Sequence, residues 1–390
     1  MTTLKAVIGA NYGDEGKGKM TDYFASNVCG DCIVVCTNGG AQRGHTVVTK
    51  EDGQHVFHHF GSGTFAGADT YLPARYVANP ILFMKELKEL NKYSPIVYVN
   101  ANAYCSTPYD MIANQIIEEE RGANKHGSCG CGIWETILRN EATIGEMIKM
   151  LEKPEELFSY LRGVRDTYFI NRIEKKGFDI PKRWKDIYFS EQLIINYVRD
   201  LYDMSRFIVL QDTDSIIRQY DNVIFENGQG LLLDQNIKDS AHSTPSNTGS
   251  RDIKQIVDNV FDDPGDEWSM EVCYVTRSYV TRHGEGELPN ECELLDFINV
   301  VTETNIWNKN QGVFRYGLLD INDVIKRCKE DFNNYWCQDN AKISFAITHL
   351  DEKCNGVVNI NEPMMYGSFG TDRHETFWIG KEEEQKGLII

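Results

Sequence analysis

The chain has 390 residues, of which 41% are hydrophobic and 25% are charged, as in ordinary soluble globular proteins. Its formal net charge of −18 argues against a general nucleic-acid or anionic-membrane surface, because phosphate backbones are bound by basic stripes. No run approaches the roughly 20 apolar residues of a membrane span, and the N-terminus has no basic segment followed by a long apolar one. We therefore expect a cytoplasmic protein without nucleic-acid or membrane partners.

Eleven cysteines are scattered along the chain, and this odd number favours a reducing compartment over a disulfide framework. The spacing of Cys29, Cys32 and Cys36 is compatible with a metal site, but the last two bracket an apolar run that reads as a buried strand. Thiols packed in a core are therefore the favoured interpretation. Cys129 and Cys131 have no second pair to complete a tetrahedral zinc site.

The first conspicuous feature is an apolar run at 4–10, which has the length and Val/Ile content of a buried strand. A glycine and lysine loop follows it at once, with Gly13, Gly16, Lys17, Gly18 and Lys19. Such glycines leave backbone N–H groups free to turn toward an anion, and the helix that begins after them adds its positive N-terminal end. The pattern predicts a phosphate-binding loop; a solvated charged turn is the alternative.

One position of this loop departs from the P-loop pattern. Met20 stands where a Ser or Thr should bind Mg²⁺. Asp14 is the natural substitute, because a carboxylate is a hard oxygen ligand suited to a hard ion.

The rest of the sequence alternates strand and helix patterns. Strands are predicted at 32–36, 95–102, 223–225, 272–281, 298–302, 312–319 and 343–350, a hairpin at 46–60, and helices at 79–90, 108–122 and 252–261. We expect an α/β fold in which a mainly parallel central sheet, with the P-loop-like first loop, is flanked by helices and a helical insertion at about 144–220. The prediction is a single domain over 1–390, with ligands at the carboxyl edge of the sheet.

Three motifs carry a resemblance to a known family. GDEGKGK at 13–19, then Gly44-His45-Thr46, and then FENGQGLLLD at 225–234 resemble adenylosuccinate synthetases in that order. The resemblance extends to Asp372-Arg373 and so covers nearly the whole chain. It implies a homodimer with shared active sites that joins L-aspartate to carbon 6 of a 6-oxopurine nucleotide, using GTP and Mg²⁺.

The resemblance also implies roles for residues around the first loop. Asp14 is the general base that takes the N1 proton and is also a Mg²⁺ ligand, and His45 is the acid that steadies the transferring phosphoryl group. The Gly44 carbonyl completes part of the Mg²⁺ shell. The triphosphate is expected to contact Gly13, Glu15, Gly16, Lys17, Gly18, Lys19, Gly44 and Thr46.

The purine nucleotide is expected to meet residues from three later loops. Gln229 matches the family glutamine that reaches the nucleotide, Thr244 matches its threonine at the 5′-phosphate, and Asn38 lies in a polar loop after a buried strand. Ser128 and Cys129 fall where the family has a phosphate-binding threonine pair, and Cys129 lacks the hydroxyl.

Arg139 matches the family arginine that crosses the dimer interface to the neighbouring nucleotide phosphate. A solvated helix arginine is an equal alternative.

Two departures from the family concern aspartate and the donor base. Of the arginine run that receives aspartate, only Arg315 remains, so the second carboxylate requires another partner, such as the backbone near 302–305. The donor base is expected to contact His349, Asp351, Ser368 and Gly370. Asp351 can accept from guanine, whereas the flat ring of His349 also allows adenine, so GTP and ATP both remain possible.

The last departure surrounds the acceptor purine, where Gln42, Arg43 and His283 replace small or apolar family residues. Altered residues around a purine suggest an altered purine. The chain resembles the phage branch of the family, which acts on dGMP to make 2-amino-2′-deoxyadenylosuccinate for diaminopurine DNA. Some members of that branch replace the loop aspartate, but Asp14 is present here. We expect dGMP as the acceptor, with IMP as the alternative.

Two other classes of protein are compatible with the same loop. One is a nucleotide switch that signals by loop ordering, against which the missing Ser or Thr after Lys19 counts. The other is a nucleotide-binding subunit whose site has decayed, as the lost arginines would allow.

Overall fold

The computed structural model describes residues 1–122, 128–237, 242–292, 312, 314–337, 340–352 and 365–379. Predictions that fall on 298–302 and 302–305 lie outside these residues. The strands are β1 (Thr2–Gly9), β2 (Cys32–Cys36), β3 (His45–Thr49), β4 (Gly53–Phe57), β5 (Asp69–Leu72), β6 (Val77–Ala78), β7 (Val97–Val99), β8 (Tyr104–Cys105), β9 (Val209–Leu210), β10 (Asn222–Gly230), β11 (Trp268–Arg277), β12 (Val280–His283), β13 (Glu291–Cys292), β14 (Phe314–Gly317), β15 (Ala341–Thr348), β16 (Met365–Ser368) and β17 (Thr376–Trp378).

The helices are α1 (Lys17–Ser26), α2 (Pro80–Leu90), α3 (Pro108–Arg121), α4 (Ile133–Arg139), α5 (Ile144–Met150), α6 (Pro154–Gly163), α7 (Ile170–Glu174), α8 (Lys182–Tyr188), α9 (Glu191–Ser205), α10 (Thr213–Ile217), α11 (Arg251–Val260) and α12 (Ile321–Tyr335). A π-helix, Val164–Phe169, joins α6 to α7. Within the described residues, no helix is long and apolar enough to cross a membrane.

The described strands include ten that form one sheet, in the order β17-β16-β15-β11-β1-β10-β2-β5-β7-β9. Neighbours run parallel, except for the antiparallel β16–β17 pair. Leu4, Ala6, Val7 and Ile8 of β1 are fully buried, as expected for a strand covered on both faces. The predicted α/β class with a mainly parallel sheet is confirmed.

Parallel pairing brings the carboxyl ends of the central strands to one edge. Leu4 of β1 pairs with Val223 of β10 and with Met270 of β11, so these three strands end side by side. The loops that follow them, and those that follow β2, β15 and β16, all open at this edge.

Two predicted strands differ from the structure. The run at 272–281 is divided, because β11 ends at Arg277 and β12 begins again at Val280. The run at 312–319 gives only the short β14, which pairs antiparallel with β12 and β13 in a separate sheet. The chain therefore turns away from the main sheet at Ser278.

Helices α5 to α9 bury apolar side chains, including Leu157, Leu161, Ile194 and Leu201, in a cluster shared with α2 and α3. The predicted start of α2 is confirmed. The Asn79 side chain caps the helix by accepting from the backbone N–H of Leu82 at 3.0 Å, and a proline is the first helical residue.

Arg139, at the end of α4, is fully buried in its own chain. Its Nε and Nη2 donate to the two Asp110 oxygens at 2.9 and 2.8 Å. Nη2 also donates to the Cys105 carbonyl, and Nη1 donates to the Tyr160 hydroxyl, both at 2.7 Å. The side chains of Arg139 and Asp110 have no exposed surface. Asp110, 29 residues away in the sequence, therefore holds Arg139 in the core of its own chain, and the expectation that Arg139 reaches a neighbouring nucleotide stays a prediction.

Replacing Arg139 with alanine should lower the free energy of unfolding by about 3–5 kcal/mol, because it leaves the Asp110 carboxylate buried without its cation. Urea unfolding measures this loss, and the exposed Arg162→Ala is the control that should cost at most about 1 kcal/mol. If Arg139→Ala kept wild-type stability but lost affinity for a purine monophosphate, the result would instead support the predicted role of Arg139 at a dimer interface.

Glu86 of α2 is a buried carboxylate that joins the helix to the segment after β4. It accepts from the backbone N–H groups of His58 and His59, both at 2.7 Å, and from His59 Nδ1 at 3.2 Å. Burial alone would raise the pKa of Glu86, but hydrogen bonds from His55, His59 and the backbone lower it to about 2.

The Glu86 hydrogen bonds should stabilise the fold above the usual glutamate pKa of 4.5 and lose this effect as the pH falls toward 2. Glu86→Gln should therefore lower the free energy of unfolding at pH 7 by about 2–3 kcal/mol. At pH 3.5 the deficit should shrink by about 1 kcal/mol. Urea titrations at both pH values test this, with Glu89→Gln, which changes an exposed neighbour, as the control. A deficit independent of pH would contradict it.

Candidate active site

The loop after β1 is shaped by a buried carboxylate. Glu15 Oε1 accepts from the backbone N–H groups of Asn11 at 3.0 Å and Gly13 at 2.8 Å, and Oε2 pairs with Lys17 Nζ at 2.7 Å. Both Glu15 and Lys17 side chains are only 2% exposed. The side chain of Glu15 therefore folds the loop from within.

Three residues of this loop have left-handed backbone conformations. Gly13, Asp14 and Gly16 have φ of 97°, 60° and 92°. Glycine adopts these angles without steric cost, whereas Asp14 is strained there, a feature that clusters at functional sites. Gly16 is the N-cap of α1, so the positive end of that helix points into the loop.

A cavity of about 550 Å³, called here the larger cavity, opens above this loop. It brings together most of the predicted catalytic, metal and donor residues, namely Asp14, Glu15, Gly16, Lys17, Gly18, Lys19, Gly44, His45, Thr46, His349, Asp351, Ser368 and Gly370. A Cβ added at Gly18 would lie 3.0 Å from the Cβ of His45, so the two loops are in close contact.

Asp14 lies half-buried on the wall of the larger cavity. Burial raises the pKa of its carboxyl group, while the nearby charges of Arg277, His283 and Lys17 act in the opposite direction. No hydrogen bond or ion pair joins its carboxylate to another residue that the structure describes. The group is therefore available to a proton or a cation.

His45 is held from behind by a buried charged pair. Its Nδ1 lies 2.8 Å from Glu226 Oε1 and 3.1 Å from Arg43 Nη2, and Arg43 Nη2 lies 2.6 Å from Glu226 Oε2. Burial lowers the pKa of His45 to about 4, with the charges of Arg43 and Lys17 in the same direction and Glu226 against it. The unliganded imidazole is therefore neutral near pH 7, contrary to the expectation of a ready proton donor.

The sequence groups Arg43 with the residues expected around the purine, but the structure places it elsewhere. Its side chain is 1% exposed and contacts Glu226 and His45 behind the larger cavity. Its role in this structure is to position those two groups.

Lys19 connects the first loop to the loop after β16. Its Nζ donates to the Ser368 hydroxyl and to the Gly370 carbonyl. Burial lowers the pKa of Lys19 to about 8, although Glu375 and Asp351 oppose this change.

His349 and Asp351 follow β15 on the same side of the larger cavity. The His349 ring is half-buried, with Nδ1 2.8 Å from the Thr348 hydroxyl and its centre 5.8 Å from the Tyr279 ring. Burial lowers the pKa of His349 well below its usual value, followed by the charges of Arg277 and Lys19. A neutral ring and an exposed carboxylate therefore lie next to each other.

A second cavity of about 230 Å³, called here the smaller cavity, contains three predicted substrate residues, Asn38, Gln42 and Thr244. Asn38 ties the surrounding loops together, because its amide nitrogen donates to Asn247 O at 2.7 Å and its Oδ1 accepts from Gly228 N at 2.6 Å. The Oε1 atom of Gln42 is buried and has no hydrogen-bond partner among the described residues.

Gln229 and His283 lie near the first loop. The Oε1 atom of Gln229 would be 3.9 Å from a Cβ added at Gly13, and Gln229 itself has φ of 65°. His283 stacks obliquely on Phe314 at 4.7 Å, and its buried Nδ1 has no hydrogen-bond partner among the described residues.

Ser128 and Cys129 lie outside both cavities. Ser128 Oγ accepts from Asn114 Nδ2 at 3.0 Å on α3. The structure does not bring this loop to the other substrate residues.

Arg315 is already paired. Its Nε and Nη2 contact the two Glu291 oxygens at 2.7 and 2.5 Å, and Nη1 donates to the carbonyls of Gly284 and Gly286 at 3.0 and 2.8 Å. Glu291 on the neighbouring strand occupies the Arg315 fork in this structure. Binding of an aspartate carboxylate by Arg315 stays a prediction, and it requires exchange of this partly exposed ion pair.

The sequence analysis missed Arg277, which lines the larger cavity at the end of β11. Its Nε donates to the Asp14 carbonyl at 2.5 Å and its Nη1 to the Tyr279 hydroxyl at 2.9 Å. The predicted strand at 272–281 placed it in a strand interior, so the polar residue that ends the apolar run was the unused signal. Other unpredicted lining residues are Val48, Gln54, Thr348, Glu352 and Thr371.

Comparison with known proteins identifies the family. The sequence matches the adenylosuccinate synthetase family over residues 6–329. The adenylosuccinate synthetase of Microcystis aeruginosa is 29% identical over 301 residues, which cover 74% of this chain and 62% of that protein. The enzyme of Lactobacillus acidophilus is 30% identical over 302 residues, covering 75% and 66%. The chain thus spans only about three fifths of the length of the first of these relatives.

Two solved structures share the fold. The fully ligated adenylosuccinate synthetase of Plasmodium falciparum superposes with a TM-score of 0.64 at 19% identity, covering 97% of this chain and 87% of that one. The succinoaminodeoxyadenylate synthetase of cyanophage S-2L, bound to dGMP and dATP, gives 0.61 at 13% identity, covering 97% and 95%. At these identities the likeness shows the fold alone, whereas the family match extends over most of the chain. The chain therefore belongs to the adenylosuccinate synthetase family.

Proposed function

We propose that this chain is a carbon–nitrogen ligase that condenses L-aspartate with carbon 6 of a purine nucleotide, using a nucleoside triphosphate. The observation that carries the proposal is that Asp14 and His45 line one cavity with the glycine and lysine loop. A base, a second proton-transfer group and a phosphate-binding loop are the parts that this chemistry requires.

The reaction has to make a leaving group from the oxygen at carbon 6 before an amine can displace it. Asp14 takes the proton from N1, and the 6-oxygen then attacks the γ-phosphate of the donor, which releases the nucleoside diphosphate. The amine of aspartate adds at carbon 6 and loses a proton to solvent, and inorganic phosphate departs.

His45 assists at the phosphoryl group. Its Nδ1 faces Glu226, which leaves Nε2 as the ring nitrogen for the cavity. The neutral ring gains a proton when an anionic phosphoryl group enters, since that charge stabilises the imidazolium. His45 then donates to the oxygen that develops negative charge.

The donor set fits Mg²⁺. The Asp14 carboxylate is a hard oxygen ligand without an ion pair to the described residues, and exposed Gly44 lines the same cavity. These two residues are proposed to hold the ion, which supplies charge neutralisation at the transferring phosphoryl group.

The base of the donor is proposed to contact His349 and Asp351, with Ser368 and Gly370 behind Lys19. Asp351 can accept from the N1–H and amino group of guanine, and the neutral ring of His349 offers a stacking face to adenine. The curated relatives carry the adenylosuccinate synthetase name, which favours GTP, and the cyanophage enzyme was bound to dATP. Both GTP and ATP are therefore to be tested as phosphate donors.

The favoured acceptor is dGMP, and the chain is proposed to belong to the phage-type branch. His283 lies close enough to Asp14 to influence its charge, and its buried Nδ1 lacks a partner. Because Asp14 takes the proton from N1, an acceptor atom beside it suits the adjacent 2-amino group. The cyanophage enzyme bound to dGMP supports this reading, and the curated relatives support IMP as the alternative. A homodimer remains part of the proposal.

Incubation with L-aspartate, Mg²⁺, one of IMP, GMP or dGMP, and GTP or ATP should release phosphate only when aspartate is present. Asp14→Asn should lower kcat by about 10²- to 10⁴-fold, because it removes the base, while circular dichroism shows an unchanged fold. Nucleotide turnover that is indifferent to aspartate would indicate a switch. Binding without any turnover would indicate a decayed site.

His283→Val should lower the ratio of kcat/KM for dGMP to that for IMP by at least about 10-fold, because it removes the acceptor for the 2-amino group. The exposed His374→Val, outside both cavities, is the control. An unchanged ratio would eliminate His283 as the specificity residue and leave Gln42 as the next to replace.

A further inference from the structure

The smaller cavity is lined by amide and hydroxyl groups but by a single basic side chain. Its described polar lining comprises Asn38, Gln42, Tyr104, Gln235, Thr244, Ser246 and Asn247, with Arg75 as the basic residue and Asp252 as the acidic one. Arg75 lies between β5 and β6, in a turn whose backbone is fixed by the hydrogen bond from Tyr76 N to Pro73 O at 3.0 Å. A cation is thus held beside donors from two other loops.

The guanidinium of Arg75 is held but not enclosed. Its Nη1 donates to Asp252 Oδ2 at 3.3 Å, and its side chain is 60% exposed. The other Asp252 oxygen accepts from Asn247 Nδ2 at 2.7 Å, so the carboxylate is paired on both sides. Most of the guanidinium surface therefore remains open to an incoming anion.

Arg139, the other arginine assigned to a substrate phosphate, is fully buried with Asp110 and uses its nitrogens within its own chain. Among the described residues that line the smaller cavity, Arg75 alone supplies a positive charge. Thr244, which the family resemblance places at the 5′-phosphate, lines the same small space.

We propose that Arg75 binds the 5′-phosphate of the acceptor nucleotide. This inference rests on the proposed function, since it assumes a purine nucleoside monophosphate as the acceptor. A planar guanidinium can bind two oxygens of a phosphate monoester dianion, and the Thr244 hydroxyl adds a donor from the opposite loop. The phosphate dianion replaces part of the weak contact between Arg75 and Asp252, and this replacement favours binding.

Arg75→Gln should raise KM for the monophosphate by about 10- to 100-fold, because it removes charge-assisted hydrogen bonds, while KM for the triphosphate stays unchanged. Arg75→Lys should recover part of the loss, since it restores the charge without the fork. The matched control is Arg183→Gln, since Arg183 is also 60% exposed and paired with a carboxylate, Glu119, outside both cavities. It should leave both KM values unchanged.

The nucleoside that lacks the 5′-phosphate separates a phosphate contact from a structural role. Arg75→Gln should leave kcat/KM for this nucleoside as in the wild type. An equal loss with nucleoside and nucleotide would overturn the proposal, as would an unchanged KM for the monophosphate in an active ligase.

Calorimetric titration with GMP and dGMP keeps the inference testable if the ligase activity is absent. Weaker binding of the monophosphates to Arg75→Gln, with unchanged binding of the nucleosides, would support the phosphate site although the proposed reaction had failed. Equal affinity of the wild type and Arg75→Gln for the monophosphates would overturn it.

Discussion

The parallel pairing of β1 with β10 and β11 is the constraint on which the site depends. It brings three groups of candidate site residues to one edge of the sheet, namely the phosphate loop after β1, Glu226 and Gln229 at the end of β10, and Arg277 at the end of β11. The buried faces of β1 leave little room for a change of register, because a slip of one residue would turn every side chain to the other face.

Much of the fold and part of the site could be predicted because they depend on patterns among residues that are close together in the sequence. The loop from Gly13 to Lys19 and the pair Gly44-His45 are contiguous motifs, and the structure brings them to one cavity. The intrachain ion pairs of Arg139 and Arg315 could not be predicted for the opposite reason. Their carboxylate partners lie 29 and 24 residues away, and no periodicity distinguishes a paired arginine from an available one. Arg277 was not predicted because the strand was extended to residue 281, past the polar residue at which it stops.

Buried charge near the site is balanced in small closed groups. Glu15 is neutralised by Lys17 within the loop, and Glu226 by Arg43 behind His45, each pair with almost no exposed surface. Because a buried pair is costly to break on one side only, these groups fix the positions of Asp14 and His45 more firmly than exposed ion pairs would. The overall charge of −18 therefore says little about these two sites, where each buried acid has a basic partner.

The left-handed backbone of Asp14 has a consequence for how this loop can evolve. At φ of 60° an aspartate is strained, and a glycine at the same position would relax the backbone by roughly 1 kcal/mol. Loss of the carboxylate is therefore an easy mutational step for the fold, and stability selects against keeping it. If Asp14 is the base proposed above, the strained acid at this position exchanges stability for function, and a protein with another base elsewhere would be free to take the glycine.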